Sequence, residues 1–98
     1  MPMDKYLNRI RELVLGELRD RRVRVYLFGS RASGHDTPGS DVDIAVEGIE
    51  DPRVIFRIRE LLEESTIPYK VDVVDLGTVD PEFREFVRST GVLWKDWN

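Results

Sequence analysis

The sequence predicts an α/β fold built on a small mixed sheet of three to four strands packed with about four helices. Amphipathic helical patterns alternate along the chain with short runs of β-branched and aromatic residues. Asp-Pro pairs and glycine-rich stretches separate these patterns. The length of 98 residues, with 41% hydrophobic and 35% charged residues, is typical of one globular domain, which we expect to span residues 1–98.

The composition excludes several kinds of site. The chain has no cysteine and a single histidine, His35, so a bound metal has to be held by oxygen ligands. The formal charge of −4 argues against a protein that grips a nucleic-acid backbone directly, because that task needs a basic face. No apolar run approaches the ~20 residues of a membrane span, and the residues after Met1 lack the features of a signal peptide. We therefore expect a cytoplasmic protein without a membrane partner.

The first helix is predicted from apolar residues at steps of three and four. They are Met3, Leu7, Ile10, Val14 and Leu18. Arginines at 19, 21 and 22 follow, which suits the negative end of the helix dipole. A solvated helix end is our interpretation of this cluster, and a place beside a nucleotide or a partner is the alternative.

A strand follows with apolar residues on both faces, Val23, Val25 and Leu27 on one and Tyr26 and Phe28 on the other. Such a strand is covered on both sides. Glycine and serine at 29 and 30 end it, and we expect a short helical turn over residues 31–33 and a loop over residues 34–39.

The second strand, residues 41–47, alternates strictly between apolar and other residues. Its period of two places Val42, Ile44 and Val46 on the core side. Asp41 and Asp43 therefore share the opposite face.

Asp51-Pro52 predicts the start of the next long helix, because aspartate is a good N-cap and proline is preorganised for the first helical position. Its apolar side consists of Ile55, Ile58, Leu61 and Leu62. The helix is expected to end near Ser65, and a third strand follows over residues 69–76.

Asp80-Pro81 repeats the start signal for a last helix. We expect its inward side to consist of Phe83, Phe86 and Val87. Gly91 is expected to end this helix in a left-handed cap, and residues 92–94 to add an edge strand. Trp94 and Trp97 either fill the core or contact a partner.

The turn after the first strand predicts a phosphate cradle. Backbone N–H groups of a turn that leads into a helix point at an anion, and Gly29 lets a phosphate approach closely. Ser30 adds a hydroxyl donor and Arg31 a charge-assisted contact.

The carboxylates of the second strand predict a magnesium site. Two like charges on one face raise each other's proton affinity unless a cation intervenes, and Mg²⁺ takes one or two carboxylates together with substrate phosphates. Phosphoryl or nucleotidyl transfer, with two ions, is the chemistry of such a set and usually needs a third carboxylate. Asp72 and Asp75 on the third strand are candidates on opposite faces, and strand parity does not decide between them.

The motif Gly29-Ser30, ten residues, then Asp41-x-Asp43 with a later aspartate resembles the nucleotidyltransferase superfamily that includes DNA polymerase beta. Within it, the chain is similar to the minimal nucleotidyltransferases that pair with HEPN-domain proteins as antitoxin and toxin. The resemblance covers residues 25–94 and implies the polymerase beta-like nucleotidyltransferase fold.

Residue roles follow from this resemblance position by position. In the family the third carboxylate lies in a Val-Asp-hydrophobic segment, which corresponds to Asp72 and leaves Asp75 a structural role. Ser33 stands where many relatives have a second basic residue, so phosphate contacts are fewer or come from elsewhere, with Lys70 a weak candidate. The resemblance implies that Asp41 and Asp43 bind both magnesium ions and the triphosphate.

The resemblance also implies an activity. Asp72 would ligate the ion that activates the acceptor hydroxyl and would help to remove its proton, while Gly29, Ser30 and Arg31 hold the β- and γ-phosphates. Antitoxins of this type transfer AMP from ATP to a tyrosine of the cognate HEPN toxin. Relatives that act on free drugs, tRNA or DNA carry extra domains, so we expect a partner protein to supply the acceptor.

Each motif also has a purely structural interpretation, a turn for Gly29-Ser30 and the polar side of a strand for Asp41 and Asp43. His35 and Asp36 are interpreted as part of a solvated loop. Two other functions remain: a binding module that neutralises a partner by occlusion, and a nucleotidyltransferase acting on a small molecule or an RNA end. Base specificity, and whether the protein is a monomer or a homo-oligomer, are left open.

Overall fold

The computed structural model describes residues 5–33 and 41–97. Within these residues the chain forms four helices and four strands: α1 (Lys5–Glu17), β1 (Arg24–Phe28), α2 (Ser30–Ser33), β2 (Val42–Glu47), α3 (Arg53–Glu64), β3 (Val71–Asp75), α4 (Pro81–Thr90) and β4 (Val92–Asp96). The predicted α/β class is confirmed. The loop predicted over residues 34–39, with His35 and Asp36, and the apolar position Met3 lie outside the described residues.

The four strands form one mixed sheet in the order β3-β2-β1-β4. β1 pairs antiparallel with both β2 and β4, and β2 pairs parallel with β3. The parallel pair needs a crossover connection, and α3 supplies it. The predicted mixed sheet and the predicted edge strand at β4 are therefore confirmed.

The two faces of the sheet are covered unequally. One face packs against α1 and α3, and its buried cluster includes Ile10, Val14, Ile44, Ile58 and Trp94. Trp94 thus fills the core, which decides between the two interpretations of that residue. The other face has a small cluster, centred on Tyr26, Phe28, Ala45, Leu76 and Val87, and packs against α4. This second cluster is the smaller of the two.

Both Asp-Pro pairs lie at helix starts. The Asp80 carboxylate accepts a hydrogen bond from the Phe83 backbone nitrogen at 2.9 Å, as expected of an N-cap. α3 begins at Arg53, one residue later than predicted, so that Pro52 and not Asp51 is its N-cap and no side chain caps it. The Asp51 carboxylate accepts a hydrogen bond from the Arg53 backbone nitrogen at 3.0 Å. None of the helices in the described ranges is long and apolar enough to cross a membrane.

The expected left-handed cap at Gly91 is wrong. Gly91 is extended, with φ −75° and ψ 159°. A Cβ atom there would lie 2.7 Å from the Val87 carbonyl oxygen and 3.2 Å from that of Leu27. Glycine is therefore needed because two backbone segments approach it closely where α4 turns into β4.

The expectation that Phe86 faces inward is also wrong, since 50% of this residue is exposed. α4 packs on the sheet through Val87 and Phe83. The Phe86 ring stacks on the Phe83 ring, with 6.3 Å between centroids, on the side away from the core. One short helix on a single sheet face buries a narrow stripe, and Phe86 lies just beyond it.

Candidate active site

The sheet register brings two of the predicted carboxylates together. In the parallel pair of β2 and β3, Asp43 lies directly beside Asp72. Neighbours in register project from the same face of a sheet, so both carboxylates lie on the face of the smaller cluster. Asp41, exposed and just before β2, carries the third carboxylate near Asp43.

Asp75 lies on the other side of its strand. It pairs with Val46, a residue of the large core cluster, and its carboxylate accepts a hydrogen bond from the Gly77 backbone nitrogen at 2.8 Å. This bond closes the turn that follows β3. The register thus separates the two aspartates that strand parity alone could not distinguish.

Gly29 lies against the carboxylate of Asp43. Its φ of +78° falls in the region that favours glycine, and a Cβ atom there would lie 2.4 Å from Asp43 Oδ2. The register explains the contact, because Phe28 at the end of β1 is the partner of Asp43. The glycine turn and the carboxylate strand therefore lie side by side.

The turn leads into the predicted short helix, α2, in which the Ala32 backbone nitrogen donates to the Gly29 carbonyl at 3.1 Å. The Arg31 guanidinium lies over the ring of Tyr69, 4.5 Å from its centroid. Tyr69 itself meets the ring of Tyr6 edge to face, with 5.6 Å between centroids. The predicted phosphate-binding arginine is thus held against an aromatic side chain just before β3.

The charges around Asp43 are arranged so that its pKa is raised. Burial has the largest effect on the pKa, followed by the negative charges of Asp72 and Asp41, while the positive charge of Lys70 acts in the opposite direction. A divalent cation at this place would offset both the burial and the repulsion. The donor chemistry of the three carboxylates, and the space that the absent Cβ of Gly29 leaves beside Asp43 Oδ2, fit such a cation.

A complete set of metal ligands is not assembled in residues 5–33 and 41–97, where no three acidic or histidine side chains are grouped closely enough to hold an ion. Asp41, Asp43 and Asp72 as magnesium ligands therefore stay a prediction.

Glu47 offers a contrast on the same face of β2. Its side chain is buried, and it accepts hydrogen bonds from the Tyr26 hydroxyl at 3.3 Å and from Arg88 Nε at 3.0 Å, with a further contact from Arg88 Nη2. The bond to Glu47 raises the pKa of Arg88. Arg88 of the same chain compensates the charge of Glu47. The charges closest to Asp43, in contrast, include two further carboxylates.

A cleft of about 790 Å³ adjoins Asp43 and Asp72. Its size lies within the range of ligand pockets. Other lining residues include Phe28, Arg59, Tyr69, Lys70 and Phe83. Lys70 was a candidate from the sequence, but the sequence interpretation missed Tyr69 and Phe83. An aromatic residue just before the strand of Asp72 was the available signal for Tyr69, and Phe83 could be placed there only from the packing of α4.

A family model described as polymerase beta, nucleotidyltransferase matches residues 17–96 of the chain. The match includes every predicted site residue from Gly29 to Asp72. It covers more than half of the chain.

Three relatives illustrate the similarity. The Haemophilus influenzae protein named "Probable protein adenylyltransferase MntA" is 36% identical over 72 residues, which are 70% of this chain and 62% of that protein. The chain therefore spans less than two thirds of the length of this relative. One chain of a toxin-antitoxin crystal structure with AMP-PNP matches with TM-score 0.70 and 27% identity. The match covers 88% of this chain and 73% of the matched chain. A structure described as a minimal nucleotidyltransferase matches with TM-score 0.60 and 30% identity, over 92% of this chain and 95% of that one.

Proposed function

The chain belongs to the polymerase beta nucleotidyltransferase family, and on this premise we propose that it is a magnesium-dependent antitoxin that transfers AMP from ATP to a tyrosine of a HEPN-domain toxin. The observation that carries the proposal is the contact of Gly29 with Asp43, next to which Asp72 lies in register. A phosphate-binding turn and a carboxylate face at one point are the parts that nucleotidyl transfer needs.

The chemistry is a substitution at the α-phosphorus of ATP. The tyrosine oxygen forms a new bond to this phosphorus, the bond from the phosphorus to the oxygen that bridges to the β-phosphate breaks, and pyrophosphate leaves. The hydroxyl proton passes to a base, and we assign that role to Asp72. Gly29, Ser30 and Arg31 bind the β- and γ-phosphates and orient the leaving group in line with the acceptor.

Asp41, Asp43 and Asp72 would hold the magnesium ions. When bound, these ions supply charge neutralisation for the triphosphate and for the acceptor oxygen. The chain's own contribution is to concentrate negative charge where Asp43 is partly desolvated, and the raised pKa of Asp43 reflects that arrangement. Two ions are the usual number for this chemistry.

The relatives support the nucleotide and the kind of partner. One is named a probable protein adenylyltransferase, MntA, and another is a toxin-antitoxin complex with AMP-PNP. A protein acceptor also accounts for the open carboxylate face, because a second chain can cover the cleft when it binds.

The test is transfer of radiolabelled AMP from ATP to the cognate HEPN protein in the presence of magnesium. We expect the parent protein to label its partner, and we expect Asp43→Asn and Asp41→Asn to abolish the labelling. Asp75→Asn is the matched control, since this aspartate lies on the opposite face of β3 and should label as well as the parent.

Equal labelling by the parent and Asp43→Asn would show that the assigned mechanism is wrong. Variants that label nothing but still neutralise the toxin would indicate occlusion by a binding module. Transfer to a small molecule or an RNA end without any protein acceptor would indicate the other alternative function. A tyrosine-to-phenylalanine substitution at the labelled position of the partner would identify the acceptor group.

A further inference from the structure

We propose that Tyr69 is a positioning residue of the nucleotide site, because its ring holds the Arg31 guanidinium in place beside the glycine turn. This inference rests on the proposed function, in which Arg31 binds the phosphates of ATP. It adds a residue outside the Gly-Ser and Asp-x-Asp motif, and it gives that residue a role in nucleotide affinity.

The geometry of the ring supports this role. Arg31 Cζ lies 4.5 Å from the centroid of Tyr69, within the distance at which a guanidinium is attracted to an aromatic face. Tyr69 is half-buried against the large core cluster, and Ala32 of the same short helix packs on that cluster too. Tyr6 of α1 contacts the Tyr69 ring edge to face at 84°. A ring fixed by these contacts offers Arg31 one well-defined place.

The ring also joins the two halves of the site. The next residue, Lys70, accepts a hydrogen bond through its carbonyl from the Val42 backbone nitrogen at 2.9 Å, so this segment is fixed to the start of β2. β3 then carries Asp72 into register with Asp43. The contact between Arg31 and Tyr69 thus ties the turn that contains Gly29 to the strand that contains Asp72.

Positioning matters for arginine because its side chain has many rotamers. An arginine that is already ordered loses less conformational freedom when it meets a phosphate than one that samples many rotamers. Removing the ring should therefore weaken nucleotide binding more than it slows the chemical step at saturating ATP. Tyr69 also lines the cleft that adjoins Asp43 and Asp72, so its ring lies close to the proposed nucleotide site.

The experiment is a double-mutant cycle read by the Kd for ATP in the presence of magnesium, with Tyr69→Leu, Arg31→Ala and the double variant. We expect Tyr69→Leu to raise the Kd about 3- to 10-fold. In the Arg31→Ala background the same substitution should have almost no further effect. Tyr69→Phe keeps the aromatic face and should bind ATP as the parent does, and single-turnover labelling at saturating ATP should change little in Tyr69→Leu.

A matched control is available at the other end of the sheet. The Arg24 guanidinium lies 5.0 Å from the ring of Trp97, so Trp97→Leu removes a similar contact away from the cleft. We expect its Kd for ATP to equal that of the parent. Thermal unfolding of each variant shows whether the fold is retained, and Tyr69→Phe keeps the test meaningful if Tyr69→Leu does not fold.

Three results separate the two proposals. If the effects of Tyr69→Leu and Arg31→Ala simply add, or if Tyr69→Phe binds as weakly as Tyr69→Leu, the positioning role is wrong while adenylyl transfer stands. If the cycle shows coupling but no AMP reaches a HEPN protein, Tyr69 keeps its role and the proposed acceptor is wrong. Absence of ATP binding by the parent overturns both.

Discussion

Two carboxylates on one face of β2, Glu47 and Asp43, are treated in opposite ways by the fold. Glu47 is buried and receives hydrogen bonds from Arg88 of α4 and from Tyr26 of β1. Asp43 lies at the other end of the strand, where Asp72 and Asp41 raise its pKa and Gly29 leaves open space beside its oxygen. The first carboxylate is satisfied within the chain, whereas the second lies among like charges, as the proposed cation site requires.

The comparison separates the end of the sheet that stabilises the fold from the end that carries the candidate site. α4 covers the Glu47 end and supplies its cation, while the end that carries Asp43 stays accessible through the cleft. A buried carboxylate is tolerated when it is paired, and repulsion between neighbouring carboxylates is tolerated when binding a cation uses it. Substitutions at the two ends should therefore affect different measurements.

The largest effects are expected on catalysis, at the end of the face that carries Asp43 and Asp72. On the proposed mechanism Asp72 is both a metal ligand and the proton acceptor, so we expect Asp72→Asn to reduce AMP transfer by at least about 100-fold. Asp75→Asn should retain transfer within about 3-fold of the parent, since its carboxylate closes a turn on the other side of the strand. Initial labelling rates at saturating ATP measure both effects. Comparable losses in the two variants would show that the face of β3 on which an aspartate lies does not decide its part in the reaction.

Gly29→Ala tests the contact between the turn and the carboxylate. The new Cβ would lie 2.4 Å from Asp43 Oδ2 at a φ of +78°, so the turn or the carboxylate has to move. We expect AMP transfer to fall about 10- to 100-fold and the free energy of unfolding to drop by about 1–3 kcal/mol. Gly16→Ala is the control, because a Cβ at Gly16 meets nothing within 4 Å. Parent-like transfer by Gly29→Ala would contradict the close approach.

Glu47→Ala tests the end of this face that α4 covers. The substitution removes the acceptor of the hydrogen bonds from Tyr26 and Arg88, and we expect the free energy of unfolding to fall by about 1–3 kcal/mol. Transfer at a temperature where the variant stays folded should be unchanged. Urea unfolding together with the labelling assay checks both expectations, and a loss of transfer without a loss of stability would place Glu47 in the active site.

The smallest expected effect is a pH dependence of stability at Asp43. Because burial and the neighbouring carboxylates raise the pKa of Asp43 in the folded state above its ordinary value, its contribution to stability is present below the unfolded pKa and is lost as the pH rises through the folded pKa. In EDTA, the stability of Asp43→Asn relative to the parent should therefore increase as the pH rises from about 3.5 to about 7. Urea unfolding at the two pH values measures this difference. A relative gain toward acid pH instead would reverse the assigned direction of the pKa shift.

Much of the fold was predictable because the local signals agree with the tertiary structure. The period-two pattern of β2 placed Ile44 in the large core and Asp43 on the other face, and both Asp-Pro pairs lie at helix starts. The errors at Gly91 and Phe86 both concern α4. Their causes are a close approach of distant backbone segments and the narrow contact of a short helix, which local patterns do not contain.

The sequence by itself determined the chemistry of this protein's candidate site. A glycine turn before two carboxylates on one strand face needs only the order of residues and the period of a strand. Strand parity left Asp72 and Asp75 open, and the family resemblance selected Asp72. The tertiary structure decided that Asp72 lies beside Asp43, because that depends on the register of a parallel pair joined through α3. It also decided that Gly29 touches Asp43 and that Tyr69 holds Arg31, since these contacts join segments far apart in the chain and brought together by packing.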